Sequence, residues 1–105
     1  MTARGRWVDF YIRTAADGYA SDDAPFFARK LLRANESRRR MPHEKWFVLC
    51  GCVGEDGAPF RIGSTHTWTV PAGVSGELFV WPNDVAEHYW NNWGAIELTI
   101  TKLAP

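Results

Sequence analysis

The chain has no charge excess of either sign. Twelve Lys and Arg stand against twelve Asp and Glu, for a formal net charge of +0 with His neutral. That balance removes the electrostatic case for nucleic acid or an anionic membrane as the main partner. Long apolar runs are also missing. No segment approaches the ~20 apolar residues of a membrane span. The start, MTARGRWVDF, carries its charges early with no apolar run behind them. It does not read as a secretory signal, so the expected location is cytoplasmic, with leaderless export as the other route. Cysteine is scarce: the two residues, Cys50 and Cys52, lie in VLCGCVG. On a strand such residues share a face and are awkward to bridge to each other. Two buried thiols in a reducing compartment are expected, not a disulfide framework. Histidine is limited to His43, His66 and His88, and no H-x3-H or C-x2-C zinc spacing occurs. There is no Gly-rich phosphate loop and no paired-carboxylate catalytic motif. His66 beside Cys50 or Cys52 would lack a third, orienting residue, so a binding module and not an enzyme is expected.

What is present is apolar and aromatic. The 105 residues are 46% hydrophobic and 14% aromatic, which excludes disorder and fits one compact domain over residues 1–105. RWVDFYIRT (residues 6–14) is β-rich and opens the fold. AADGYASDDAP is a loop by composition. Residues 24–36 predict a short helix, with Asp23 as N-cap, Pro25 near the first position, and Phe27, Leu31 and Ala34 as its apolar stripe. KWFVLCGCVG (residues 45–54) is a nearly continuous apolar run, the pattern of a central strand buried on both faces. Short strands follow at PFRIG, STHTWTV, GELFVW and AIELTITKL, separated by Pro/Gly turns. In the last of these Ile96, Leu98 and Ile100 face inward. The class is therefore mainly all-β: a small antiparallel β-sandwich with one short helix or ordered insertion after the first strand. Trp7, Trp46, Trp68 and Trp81 are expected to fill the core or its rim.

One connection is unusually rich. NDVAEHYWNNWG (residues 83–94) carries Asp84, Asn91 and Asn92, with Trp90 and Trp93 beside them. A hairpin needs only Asn-Gly or Asp-Gly to turn. Carboxylates, amide oxygens and backbone carbonyls are what a hard cation such as Ca²⁺ selects, and it takes six to eight of them. A site with few carboxylates leaves charge and open positions for neutral ligand hydroxyls. A sugar diol suits that role, and Trp or Tyr can pack on the apolar face of its ring.

GELFVWPNDVAEHYWNNWGAIELTI (residues 76–100) resembles the C-terminal part of the PA-IL-like bacterial calcium-dependent galactose-binding lectins. In that family a strand ends in Asn-Asp, a short loop follows, then Asn-Asn, one residue, Gly and a final alternating strand. Here those elements are Asn83-Asp84, Asn91-Asn92, Trp93 and Gly94. WFVLCGCVGEDGAPFRIG resembles the family's central strand and hairpin, and GYAS the stretch before its first metal-binding loop. The resemblance implies a jelly-roll-like β-sandwich holding Ca²⁺ through the side chains of Asp84, Asn91 and Asn92 and the carbonyls of His88 and Asp22. It implies sugar hydroxyls as the remaining ligands. The departures are specific. The family's first strand or two has no counterpart, and its galactose-contacting loop does not align with FFARKLLRANESRRRMPHE. His43 is only a loose match there. Trp90 stands where a small residue is usual, either blocking the sugar or walling its site. Galactose itself is therefore not implied; a galactose-like glycan is.

Two further features have plainer readings. Arg29, Lys30, Arg33, Arg38, Arg39 and Arg40 stand against Glu36. They could form a patch for an anionic partner. With zero net charge, a solvated helix face balanced by Asp17, Asp22 and Asp23 is the favoured reading. The loop also has a second use: a vestigial metal site, with Trp90 and Trp93 buried in a homo-oligomer or partner-domain interface.

Overall fold

The computed structural model describes residues 1–9, 12–24, 26–85 and 92–103, without the side chains of residues 9, 26, 27, 92 and 93. Among the described residues the architecture is mainly β, with two three-stranded antiparallel sheets and one short α-helix. Strands β1 (Thr2–Asp9), β2 (Ile12–Thr14) and β6 (Asn92–Thr99) form one sheet, in the order β2-β1-β6. Strands β3 (Leu49–Val53), β4 (Phe60–Arg61) and β5 (Leu78–Pro82) form the other, in the order β4-β3-β5. The expected opening strand is thus two strands. Trp7 pairs with Thr14 and Asp9 with Ile12, so the chain reverses inside RWVDFYIRT. Strand β1 also pairs with β6 along its whole length, from Thr2 opposite Thr99 to Asp9 opposite Asn92. The last strand therefore finds its neighbour within the same chain.

Strand β3 is central and buried on both faces, as its unbroken apolar run requires. Its odd-numbered face meets the first sheet: Leu49 packs with Ala3, Ala16 and Ile62, and Trp7, Phe60, Ile96 and Leu98 close around them. Its even-numbered face turns away, and carries Val48, Cys50 and Cys52 against Trp81, Phe79 and Met41. Register explains the grouping, because Cys50 lies opposite Trp81 and Cys52 opposite Phe79. Both thiols are free and buried. The apolar run is longer than the strand. Phe47, fully buried, has φ 58°, a left-handed value that bulky residues rarely adopt. The chain bends there, between a two-bond bridge linking Trp46 and Tyr19 and the start of β3.

Other elements depart from the sequence pattern. Helix α1 spans Phe26–Asn35. Asp23, the expected cap, is the last residue of a 3-10 turn, Ser21–Asp23, and the helix begins three residues later. Leu31 is 68% exposed, and Leu32 is the leucine packed on the core, so the buried stripe is turned one residue from the expected one. STHTWTV is not a strand: Thr65 bridges Thr2, and His66 and Trp68 stack on Phe60 with ring centroids at 6.0 and 4.1 Å. Ile100, past the end of β6, is 59% exposed, although Ile96 and Leu98 pack inward as expected. Trp46 and Trp81 are buried. Among the described residues no helix is long and apolar enough to cross a membrane.

Candidate functional site

Strand β5 delivers the Asn83-Asp84 pair to the end of the sandwich. Asn83 is fully buried, and its side chain is a clamp. Its Oδ1 accepts the Met41 N–H at 2.9 Å. Its Nδ2 donates to the carbonyls of Met41, Glu44 and Lys45 at 2.9, 3.2 and 3.0 Å. The Asn83 backbone holds the other side, donating to Val48 O and accepting from Phe47 N. Residues 39–45 thereby become a strap fixed across the exit of β5. Two further contacts fasten it: Arg40 N donates to Asp84 O at 3.1 Å, and Arg39 bridges Val85. Stacking adds to them, with the Arg39 guanidinium 4.8 Å from the Trp46 ring centre and that of Arg40 3.9 Å from the Trp81 ring.

Asp84 follows directly and is 2% exposed. A buried carboxylate has to be compensated by hydrogen bonds, opposite charge or a metal ion. The Val85 N–H supplies one bond, at 2.7 Å to Oδ1. Val85 packs in a cluster with Tyr19, Ala24, Trp46 and Phe47. The exit of β5 and the Ser21–Asp23 turn thus meet over one patch of core. The turn's own bonds run from Asp23 N to Ala20 O and from Ala24 N to Ser21 O. The next carbonyl, that of Asp22, would look to residue 25, which is proline and has no N–H. The Asp22 side chain is occupied by Arg33, whose Nε donates at 2.9 Å. Ser21 Oγ accepts the Trp46 indole N–H at 2.9 Å and donates to Glu36 at 2.6 Å, which locks the turn.

His88, Trp90 and Asn91 lie outside the described residues. Asn92 and Trp93 are described by backbone alone, as the first residues of β6, opposite Asp9 and Val8. Gly94 has a local reason to be glycine. Its φ is +97°, and a Cβ there would lie 2.8 Å from Trp7 Cα, too close for any side chain. His43 is exposed on the strap, between the Met41 and Glu44 positions that Asn83 holds. The structure thus brings Asp84, the Asp22 turn and the His43 strap to one end of the sandwich. Among the described residues no three His, Cys, Asp or Glu side chains converge as a metal site. The expected donor set has one carboxylate, two amides and two carbonyls, which is a different chemistry.

The basic segment is mostly committed internally. Arg33 pairs with Asp22, and Arg29 donates to Ala24 O. Arg38 donates to Asn35, and Arg39 to the carbonyls of Glu36 and Pro42. Burial lowers the Arg39 pKa below the usual arginine value. Two features of this end had escaped the sequence reading: the clamp made by Asn83, and the seating of Arg40 on Trp81. Burial pushes the Cys50 thiol up to about 12, which disfavours its thiolate. The sequence matches no protein-family model and no curated protein.

Proposed function

We propose that this chain is a calcium-dependent carbohydrate-binding module. The observation that carries the reading is Asp84: a carboxylate 2% exposed at the exit of β5, next to Val85, which packs in one core cluster with Ala24 at the end of the turn whose Asp22 carbonyl is a proposed ligand. The side chains of Asn91 and Asn92 and the carbonyl of His88 complete the protein's donors, on the strength of the motif they form with Asp84. One carboxylate does not neutralise Ca²⁺, so the bound ion attracts neutral hydroxyls, and a vicinal diol supplies two at once. Trp90 and Trp93 flank the Asn pair in sequence and are the candidates to pack on the apolar face of a galactose-like ring.

The test is a thermal melt of EDTA-stripped protein with millimolar CaCl₂ and a MgCl₂ control. A ligand bound only by the folded state stabilises it by about 2.7 kcal/mol at a hundredfold excess over Kd. For a domain of this size that is a shift of about 10 °C. The expected result is a calcium-specific shift that Asp84→Ala abolishes. No shift, or one unchanged in that variant, overturns the assignment.

A second reading is favoured by one observation: Ile100 and Leu103, beyond β6, are 59% and 65% exposed. In that reading the module assembles through this surface as a homo-oligomer and the metal loop is vestigial. A defined oligomer, unaffected by chelator and lost on Ile100→Ser with Leu103→Ser, distinguishes it.

A further inference from the structure

The strap adds a charge to the end of the sandwich that the basic segment otherwise consumes. Arg29, Arg33, Arg38 and Arg39 all donate to acceptors within their own neighbourhood. Arg40 differs. Its guanidinium lies 3.9 Å from the centre of the Trp81 ring, and among the described residues it meets no hydrogen-bond acceptor and no carboxylate. The strap's own acid, Glu44, is turned to Arg61 at 3.6 Å. Glu36 is taken by Ser21. Among the described residues the buried Trp81 Nε1–H meets no acceptor either.

Stacking matters for what this arginine can do. A guanidinium held 3.9 Å over an indole ring keeps N–H donors that can meet a planar anion such as a carboxylate. Its backbone is fixed as well, since Arg40 N is bonded to the carbonyl of Asp84. Trp81 and Asp84 are three residues apart, at most about 10 Å along extended chain. That separation suits a carboxylate on the neighbouring sugar of an oligosaccharide, not on the ring whose diol meets the ion.

We infer that Arg40, seated on Trp81 and tied to Asp84, forms an anion subsite beside the calcium loop, and that the ligand is an acidic oligosaccharide with a uronate next to the gripped sugar. The inference rests on the calcium reading of the same end. It extends that reading from any diol-bearing sugar to a uronate-bearing one.

The experiment uses the full chain on an array of neutral oligosaccharides and their uronate-bearing counterparts, in millimolar CaCl₂ and again in EDTA. Binding to the best uronate and its carboxyl-reduced form is then measured by calorimetry. The parent should favour the uronate by about tenfold, the value of one charge-assisted contact. Arg40→Gln should erase that preference and leave affinity for the carboxyl-reduced sugar unchanged. Arg40→Lys, which keeps charge but loses the fork, should retain part of it. Both variants should keep the parent's calcium-dependent melting shift, because Arg40 is exposed and holds no proposed metal ligand through its side chain. Calcium-dependent binding without uronate preference, or a preference that survives Arg40→Gln, overturns the anion subsite and spares the calcium reading. Binding of neither class overturns it too. Absence of a calcium shift in the parent overturns both.

Discussion

Asn83→Ala tests whether the strap is held by the side chain that precedes Asp84. The amide makes contacts with Met41 N, Met41 O, Glu44 O and Lys45 O, at residue separations of 38 to 42. Nδ2 has two hydrogens for three acceptors, so the set is worth about three hydrogen bonds. At about 1 kcal/mol each the loss is about 3 kcal/mol. The freed carbonyls lie on a partly exposed strap and regain water, while Met41 N–H and the vacated space add to the cost. A net loss of about 2–4 kcal/mol follows, or about 9–18 °C in Tm for a domain of this size. Urea and thermal melts at neutral pH measure it. Asn83→Asp sharpens the test, because it keeps the acceptor for Met41 N–H but sets a carboxylate against three carbonyls. Burial and those carbonyls raise the folded-state pKa of the introduced acid. Its stabilising form is therefore the protonated one. That stability is fully present below the unfolded value of about 4 and is lost as pH rises through the folded value. The variant should be at least as weak as Asn83→Ala at neutral pH and recover on acidification. If both substitutions cost under about 1 kcal/mol, the strap is held by something else and the reasoning fails.

Three other outcomes are expected. Asp17 accepts the Ser64 hydroxyl at 2.6 Å and the Ser64 N–H at 2.7 Å, and these bonds lower its pKa from the ordinary 3.8, with Arg61 and Lys45 helping. Its contribution is present above the unfolded value and lost as pH falls through the folded one. The gap in urea midpoint between the parent and Asp17→Asn should therefore narrow below about pH 4; a gap constant with pH refutes it. Burial holds the Cys50 thiol at about 12, and Cys52 is 3% exposed, so a thiol reagent at pH 8 should label neither in the native state and both in urea. Rapid native labelling of two thiols would contradict the packing of that face. Gly18 has φ +70°, and a Cβ there would lie 2.2 Å from Trp46 O and 2.5 Å from Val48 N. Gly18→Ala should cost at least about 3 kcal/mol in a chemical melt.

The sandwich was legible where the pattern is unambiguous. An unbroken apolar run such as WFVLCGCV suits a strand covered on both sides, and its Leu49–Val53 part is β3. The inward alternation of Ile96 and Leu98 held for the same reason. The misread places share a cause: local pattern without its partner. RWVDFYIRT has β propensity throughout, so its reversal is set by the pairing of Trp7 with Thr14. STHTWTV alternates, but apart from the Thr65 bridge it joins no strand among the described residues, and its aromatics serve Phe60 instead. Adjacent Leu31 and Leu32 leave the helical stripe undecided by one residue, and packing on the Trp46 cluster selects Leu32. In the candidate site, the donor types were visible in residues 83–94. The strap was not, because Asn83 finds its partners about forty residues away and no local rule names them.

The strap also has a purpose independent of any ligand. An outer sheet face in a sandwich is ordinarily solvated and polar, but here it carries Val48, Cys50, Cys52 and Trp81, none of them more than 7% exposed. Such a face must be covered, and Met41 and Arg40 do so from the strap. The segment beside Asp84 is therefore a structural cover and a wall of the candidate site at once. This divides its residues by the effect of changing them. Met41 and Asn83 face the fold, so their loss should appear as instability whatever the ligand. Arg40 and His43 are exposed on the same backbone, so changing His43 costs little stability and changing Arg40 costs only its exposed cation–π contact with Trp81, about 0.5–1 kcal/mol. If this end of the sandwich reads a ligand, selectivity should therefore vary with Arg40 and His43 while the melting temperature without calcium moves by no more than a few degrees. Variation at Asn83 should do the reverse.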